Sequence, residues 1–207
     1  MARYTGPVCR ICRRHGQKLM LKGDRCMGKC TLDRRNVPPG QQLSRRRRIS
    51  DRGLQLKEKQ KARFTYGVLE RQFRKTFAEA GRLPGATGEN MVQLLERRLD
   101  NVVYRLGFGD SRAQARQLVR HGHIMLNGRR AGIPSLSVKP GDVITWREAS
   151  TKTVPYKELA ESPPSGPLPG WLSLDVGNLS AKVLSQPAKE DMELSFDATT
   201  VVEYYSR

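Results

Sequence analysis

Two sets of residues have the types and spacings that do chemistry. Cys9, Cys12, Cys26 and Cys30 form the pattern C-x2-C-x13-C-x3-C. Two close pairs separated by a loop let four thiolates converge on one ion, each pair on a tight turn. Zinc fits such a set, and an iron–sulfur cluster also uses four cysteines, so the spacing leaves both open. With four protein ligands no position stays free for water, so the site would be structural and not catalytic. Four thiolates around a divalent zinc leave a charge near −2, which Arg10, Arg13, Arg25 and Lys29 can offset. His15, three residues after Cys12, is a substitute ligand or a solvated side chain between Arg14 and Gly16. The second set is cationic. Arg45, Arg46, Arg47 and Arg48 run consecutively, and their planar forks suit paired phosphate oxygens. Arg112, Arg116 and Arg120 recur every four residues, which on a helix makes one row about 12 Å long.

These residues need elements to position them. Met91, Leu95, Leu99, Val102, Val103 and Leu106 make an apolar stripe at helical spacing, with Thr87 to cap the helix and Gly107 to end it. Ser111 with Gln114 has the form of a capping box, opening a helix over Arg112 to His121 that stops at Gly122. Ile124 and Leu126 alternate with polar neighbours, and Asn127-Gly128 is a strong hairpin signal. Pro140-Gly141 marks a turn before the strand Val143 to Trp146. Arg129, Arg130 and Lys139 lie on the hairpin and turns beyond the arginine row. Upstream, Ser50 caps a polar helix to about Tyr66, broken by Gly67. Leu69, Phe73, Phe77 and Ala80 set a second helix ending at Gly81, with its aromatics in the core. Pro155 to Gly170 reads as a loop or linker, Trp171 to Val176 alternates as a strand, and Val201 to Tyr205 is apolar enough to anchor the end.

The charge balance narrows the partner. Net charge is +18, from 38 basic and 20 acidic residues. Self-repulsion of that size favours an anionic partner, nucleic acid or anionic membrane. The excess is uneven: net +12 over residues 1–50, +4 over 51–100, +5 over 101–150 and −3 over 151–207. A polyanion is therefore met by the first three quarters. No apolar run approaches the roughly 18 residues of a membrane helix, and the first residues lack an apolar signal segment, so neither membrane nor secretion is expected. In a reducing cytosol four cysteines argue against structural disulfides.

Arg97-Arg98-Leu99-Asp100-Asn101-Val102-Val103-Tyr104-Arg105-Leu106-Gly107-Phe108, then Ser111 to Val119, His121 to Ile124 and Asn127-Gly128-Arg129, resemble the S-four RNA-binding module. Met1 to Pro7, Glu58 to Lys61, Glu70 to Arg74, Trp171 to Asp175 and Tyr205-Ser206-Arg207 extend the likeness over nearly the whole chain, to the S-four family of bacterial small-subunit ribosomal proteins. The resemblance implies an α+β chain: a four-cysteine metal segment over 1–44, a small helical domain over 45–90, and the module with its following linker and strand over 91–189. The module is two helices on a small antiparallel sheet, and the tail, about 190–207, packs back on the helical domain.

The same resemblance implies direct binding to small-subunit ribosomal RNA at a multi-helix junction, nucleation of assembly of the subunit body, and an influence on translational accuracy. It also implies contact with small-subunit proteins five and three, near the path by which messenger RNA enters, and a cytoplasmic setting. No small-molecule substrate follows from it. Candidate RNA contacts are Arg3, Arg10, Arg13, Arg14, Arg45, Arg46, Arg47, Arg48, Lys59, Lys61, Arg71, Arg112, Arg116, Arg120, His123, Asn127, Arg129, Arg130 and Lys139. The metal candidates are the four cysteines, with one zinc ion, or an iron–sulfur cluster in its place. Two other function classes compete. An RNA-modifying enzyme would need a catalytic domain, yet no Ser/His/Asp or Cys/His arrangement is placed for nucleophilic attack, and Glu190-Asp191 falls on an exposed turn. A zinc-dependent DNA-binding regulator would aim a recognition helix at base edges, which the row from Arg112 to Arg120 imitates.

Overall fold

The computed structural model describes residues 4–41, 49–164, 166–192 and 194–206. It is a mixture of helices and one antiparallel sheet, in two compact units: Met1–Val92 with Leu194–Arg207, and Gln93–Glu193. Arg3, Arg45, Arg46, Arg47 and Arg48 lie outside the described residues. Among the described residues no helix is long and apolar enough to cross a membrane.

The first unit is helical. Short helices α1 (Cys9–His15), α2 (Asp24–Met27) and α3 (Thr31–Arg34) carry the cysteines. α4 (Asp51–Thr65) starts where the Ser50 hydroxyl accepts the Gly53 N–H, and α5 (Glu70–Ala80) follows the break at Gly67. α10 (Ala198–Tyr205) packs against α4. Its capping carboxylate, Asp197, accepts the Thr199 N–H, and the Asp197 N–H reaches Glu58 on α4. Phe73 is fully buried, and both Phe73 and Phe77 stack on Tyr205, the latter with centroids 4.5 Å apart. Phe73 is core, Phe77 is half-buried against Tyr205, and α10 completes that core.

In the second unit α7 (Leu99–Arg105) and α8 (Arg112–His121) pack on a five-stranded sheet of order β2-β1-β3-β5-β4. The strands are β1 (Ile124–Leu126), β2 (Arg129–Arg130), β3 (Val143–Trp146), β4 (Leu172–Asp175) and β5 (Ser180–Val183). Every pairing is antiparallel. The register sets Ile124 opposite Trp146 and Leu126 opposite Ile144. Period-two alternation therefore sends Ile124, Ile144 and Trp146 to one buried face. They join Leu99, Val102, Val103, Leu118, Val119 and Trp171 in a single core.

Three readings of the sequence are corrected. The stripe from Met91 to Leu106 is not one helix. α6 (Thr87–Glu96), in which Thr87 is the first turn and not the cap, ends before Arg97, and α7 begins at Leu99. The N–H groups of Leu99 and Asp100 go instead to the carbonyls of Leu136 and Pro134, and Arg98 bridges to Ser137. Tertiary acceptors thus interrupt a stripe whose apolar phase continues. Second, the proline-rich loop contains α9 (Val154–Glu161), with Pro155 in its first turn, where a missing N–H costs nothing. Third, the capping box at α8 is half formed. Ser111 Oγ accepts the Gln114 N–H, but Gln114 Oε1 accepts from Asp110, one residue earlier than the reciprocal bond requires.

Candidate nucleic-acid interface

The hairpin between β1 and β2 depends on two residues in left-handed conformation, Asn127 at φ 50° and Gly128 at φ 74°. This is the turn that matches strand twist. The Asn127 side chain also fastens the hairpin to the next turn. Its Nδ2 donates to Asp142 Oδ1 at 2.8 Å, and its Oδ1 accepts the Val143 N–H at 2.8 Å. Asp142 Oδ2 accepts the Lys139 N–H at 2.7 Å. Asn127 therefore holds the turns that carry Arg129, Arg130 and Lys139. All three of these cations are exposed, Arg129 and Arg130 on an edge strand. A groove of about 500 Å³ beside them is lined by Leu126, Arg129, Arg130, Ala131, Ile133 and Leu136. Apolar floor and arginine rim suit a sugar–phosphate backbone.

The arginine row on α8 does not lie on one solvent face. Arg120 is exposed and Arg112 half-buried, whereas Arg116 is buried with Ala115, Leu118 and Val119. Arg116 Nη1 donates to Asp100 Oδ2 at 2.6 Å, and Arg98 donates to both Asp100 oxygens at 3.1 and 2.8 Å. One buried carboxylate thus gathers two guanidinium groups. The Arg112 Nε donates to Asn101 Oδ1 at 2.7 Å while its guanidinium lies 4.4 Å from the Tyr104 ring centroid. Asn101 in turn donates to Glu96, which Arg105 grips through two nitrogens at 3.1 Å. Arg116 is therefore internal cement, and Arg112 is held in one orientation at the start of α8.

The helical unit sorts its cations in the same way. Arg10, Arg14 and Arg71 are exposed. Arg13 donates through Nε to the Val37 carbonyl at 2.8 Å, tying α1 to the loop after α3. Lys59 is buried at 5% exposure, 2.6 Å from Glu70 Oε1 and 4.8 Å from the Tyr204 ring centroid. It is a core cation and not a surface contact, a correction that follows from the return of α10 onto α4. Lys61 pairs with Glu58 at 2.6 Å.

The four cysteines line one void of about 20 Å³, with Val8, Leu21, Lys22 and Leu32 around it. That is room for one atom-sized guest. All four are free thiols, and the Lys22 N–H donates to Cys26 Sγ at 3.3 Å. Burial pushes the Cys12 thiol up, and its neighbours Cys26, Cys9 and Cys30 add to this, against a bond to the Leu19 backbone that lowers it. Among the described residues, however, no three His, Cys, Asp or Glu side chains form a group able to hold a metal. The thiols face one space without being drawn into a ligand cluster. His15 is buried against Phe64, and burial first, then Lys57 and Lys61, lowers its pKa to about 4. It is not the solvated histidine of the sequence reading.

Sequence reasoning missed His121 and Arg147. His123 Nδ1 lies 2.9 Å from Ser150 Oγ, in the short turn Glu148–Ser150, and the Arg147 N–H donates to the His123 carbonyl at 2.7 Å. Arg147 directly follows the Val143–Trp146 strand, so strand pairing was the signal that would have found it.

Residues 3–96 match the family described as ribosomal protein S4/S9 N-terminal domain, and residues 97–144 match the S4 domain. The chain is 58% identical over 207 residues to the small ribosomal subunit protein uS4 of Dehalococcoides mccartyi, with all of both chains covered. It is 55% identical to that of Pelotomaculum thermopropionicum and 54% to that of Heliobacterium modesticaldum, again across the whole of each chain. Two matched domains in sequence and identity above half from end to end lead to one conclusion: this chain belongs to the uS4 family of small ribosomal subunit proteins.

Proposed function

We propose that the protein is a structural constituent of the small ribosomal subunit that binds small-subunit ribosomal RNA directly and catalyses nothing. The observation that carries the reading is full-length identity to small ribosomal subunit proteins, 58% over 207 residues. The cations support it. Arg120, Arg129, Arg130 and Lys139 are exposed on the sheet unit, and Arg10, Arg14 and Arg71 on the helical unit. Phosphates of a folded RNA repel one another. Arginines fixed in position neutralise them at one geometry and so favour that geometry. Binding would be mostly to backbone and shape, because A-form RNA hides its base edges in a narrow major groove.

The finer parts of the reading follow from family resemblance. The RNA site is a multi-helix junction, binding nucleates assembly of the subunit body, and the protein contributes to translational accuracy. Its neighbours are small-subunit proteins five and three and the path of incoming messenger RNA, in the cytoplasm. One zinc ion would be held by Cys9, Cys12, Cys26 and Cys30, with an iron–sulfur cluster as the alternative on the same thiols. A shared void and an all-thiol donor set support a metal there. The ion would supply cross-linking and charge neutralisation to short helices that bury little core of their own.

The test is binding of the full chain to isolated small-subunit ribosomal RNA, with zinc and iron measured on the same sample. Tight binding with one equivalent of zinc supports both parts. Failure to bind under conditions where the chain is folded overturns the first, and absence of both metals from protein purified without chelator overturns the second.

A further inference from the structure

Three basic side chains, His121, His123 and Arg130, meet at the end of α8, where the chain turns into the sheet, and Arg147 is near enough to act on His123 through its charge. His121 closes the helix and His123 opens β1, with ring centroids 6.0 Å apart. Arg130, from β2, donates through Nη2 to the His121 carbonyl and lies flat across Gly122. Gly122 has φ 77°, a conformation that favours glycine, and a Cβ there would meet the Arg130 guanidinium and push that exposed side chain aside. Arg147 enters from the end of β3 through its backbone bond to His123. His121, Arg130 and Arg147 are exposed, and His123 is half-buried.

The groups around His123 come from each element packed on it. They are His121 from α8, Arg130 from β2, the Trp146 ring from β3, Arg147 directly after it, and the Ser150 hydroxyl from the following turn. Glu148, at the start of that turn, is exposed, and the permanent charges acting on His123 are Arg130 and Arg147, with His121 as a titratable neighbour. Burial first, then His121, Arg130 and Arg147, holds the His123 pKa below its usual 6.5. Cations collected around a proton-accepting ring repel one another until an anion joins them.

We propose that His121, His123, Arg130 and Arg147 form a phosphate subsite whose occupation protonates His123, so that RNA binding takes up a proton. This rests on the RNA-binding reading above and adds to it a site and its linkage. The direction follows from the charges. Without phosphate the neighbours oppose a proton on His123. A phosphate bound among them offsets that repulsion and adds an acceptor, so the bound-state pKa rises. Affinity is then constant well above the bound-state pKa and rises as pH falls through it. It levels off below the free-state pKa. One proton gives at most about a tenfold gain per pH unit.

The experiment measures binding of the full chain to small-subunit ribosomal RNA at constant ionic strength from pH 5.5 to 8.5, for wild type, His123→Asn and Arg147→Gln. Proton NMR titrations of the free chain, with and without inorganic phosphate, follow the histidines, of which there are three. Wild type should gain several-fold in affinity between pH 8 and 6. His123→Asn should lose that gain, its affinity changing by less than about twofold between pH 8 and 6 whatever its level at pH 8. Phosphate should raise the His123 titration midpoint, and Arg147→Gln should raise it in the free protein. A pH slope unchanged by His123→Asn, or a midpoint indifferent to phosphate, overturns the subsite while leaving RNA binding intact. Folded protein that binds no ribosomal RNA at any pH overturns both.

Discussion

Removing Arg116 tests whether the α8 row is contact or cement. Asp100 is 4% exposed and Arg116 7% exposed, and they meet at 2.6 Å with Arg98 on the same carboxylate. Breaking a buried ion pair by deleting one partner costs about 3–5 kcal/mol, chiefly because the other charge stays buried and uncompensated. In Arg116→Ala, Asp100 keeps both bonds from Arg98, so the lower end applies, about 3 kcal/mol. Asp100→Asn leaves two buried guanidinium groups facing a neutral amide and belongs at the upper end, about 5 kcal/mol. Because the pair is shared, the double variant should cost less than the two single costs together. Denaturant melts followed by tryptophan fluorescence report on this unit alone, since Trp146 and Trp171, the only two tryptophans, are both in its core. RNA affinity at temperatures where the variant is folded should stay within about threefold of wild type. An Arg116→Ala variant with stability within about 0.5 kcal/mol of wild type and a shallower salt dependence of RNA binding would refute this reasoning. It would return Arg116 to the phosphate-facing row.

Four other outcomes follow from the same geometry. Leu118→Ala empties part of the core and should cost about 2–5 kcal/mol, losing RNA binding only through unfolding, as a melt and a binding curve on one sample would reveal. Replacing Arg129 and Arg130 together with Gln should reduce the slope of log affinity against log salt by about 1.4–1.8 with little change in the melt, since each phosphate contact contributes about 0.7–0.9. Under the proposed metal reading, Cys26→Ser should leave protein that carries neither zinc nor iron and increase proteolysis within residues 4–41 while the tryptophan melt is unchanged, to be read by metal analysis and limited digestion. Burial alone would raise the Glu70 carboxyl, but Lys59 at 2.6 Å and the Tyr205 hydroxyl at 3.0 Å hold it below its usual 4.5. Its stabilisation is therefore complete above about pH 4.5 and lost as pH falls below that, so Glu70→Gln should flatten the acid limb of stability against pH.

Elements with local signals were legible in the sequence. α8 could be read from Ser111 and Gly122, the hairpin from Asn127-Gly128, and α4 and α5 from Ser50, Gly67 and Gly81. What decides these is chemistry within a few residues of the boundary. The break between α6 and α7 was not legible, because its cause is a pair of carbonyls, on Pro134 and Leu136, more than thirty residues away. α9 was hidden by composition: prolines read as linker, although one in the first turn is compatible with helix. The site divides in the same way. Arg129, Arg130 and Lys139 sit on turns and are exposed, as turn residues usually are. Arg116 and Lys59 carry the same charge, but Asp100 and the Tyr204–Tyr205 end of α10 draw them inside. A cation's partner across the fold cannot be read from its spacing along the chain. For that reason the sequence also passed over Arg147, which becomes conspicuous only once β3 is paired to β1.

Under the proposed function, these exposed cations recognise folded small-subunit ribosomal RNA. Competition at matched salt tests it most directly. Labelled small-subunit ribosomal RNA is held by the full chain near 150 mM salt and challenged with equal nucleotide amounts of unrelated structured RNA or duplex DNA. Binding should be saturable and one-to-one and should resist both competitors by at least about a hundredfold, because several fixed phosphate contacts must be met together. Equal displacement by any of the three nucleic acids would reduce the surface to general positive charge and contradict the account.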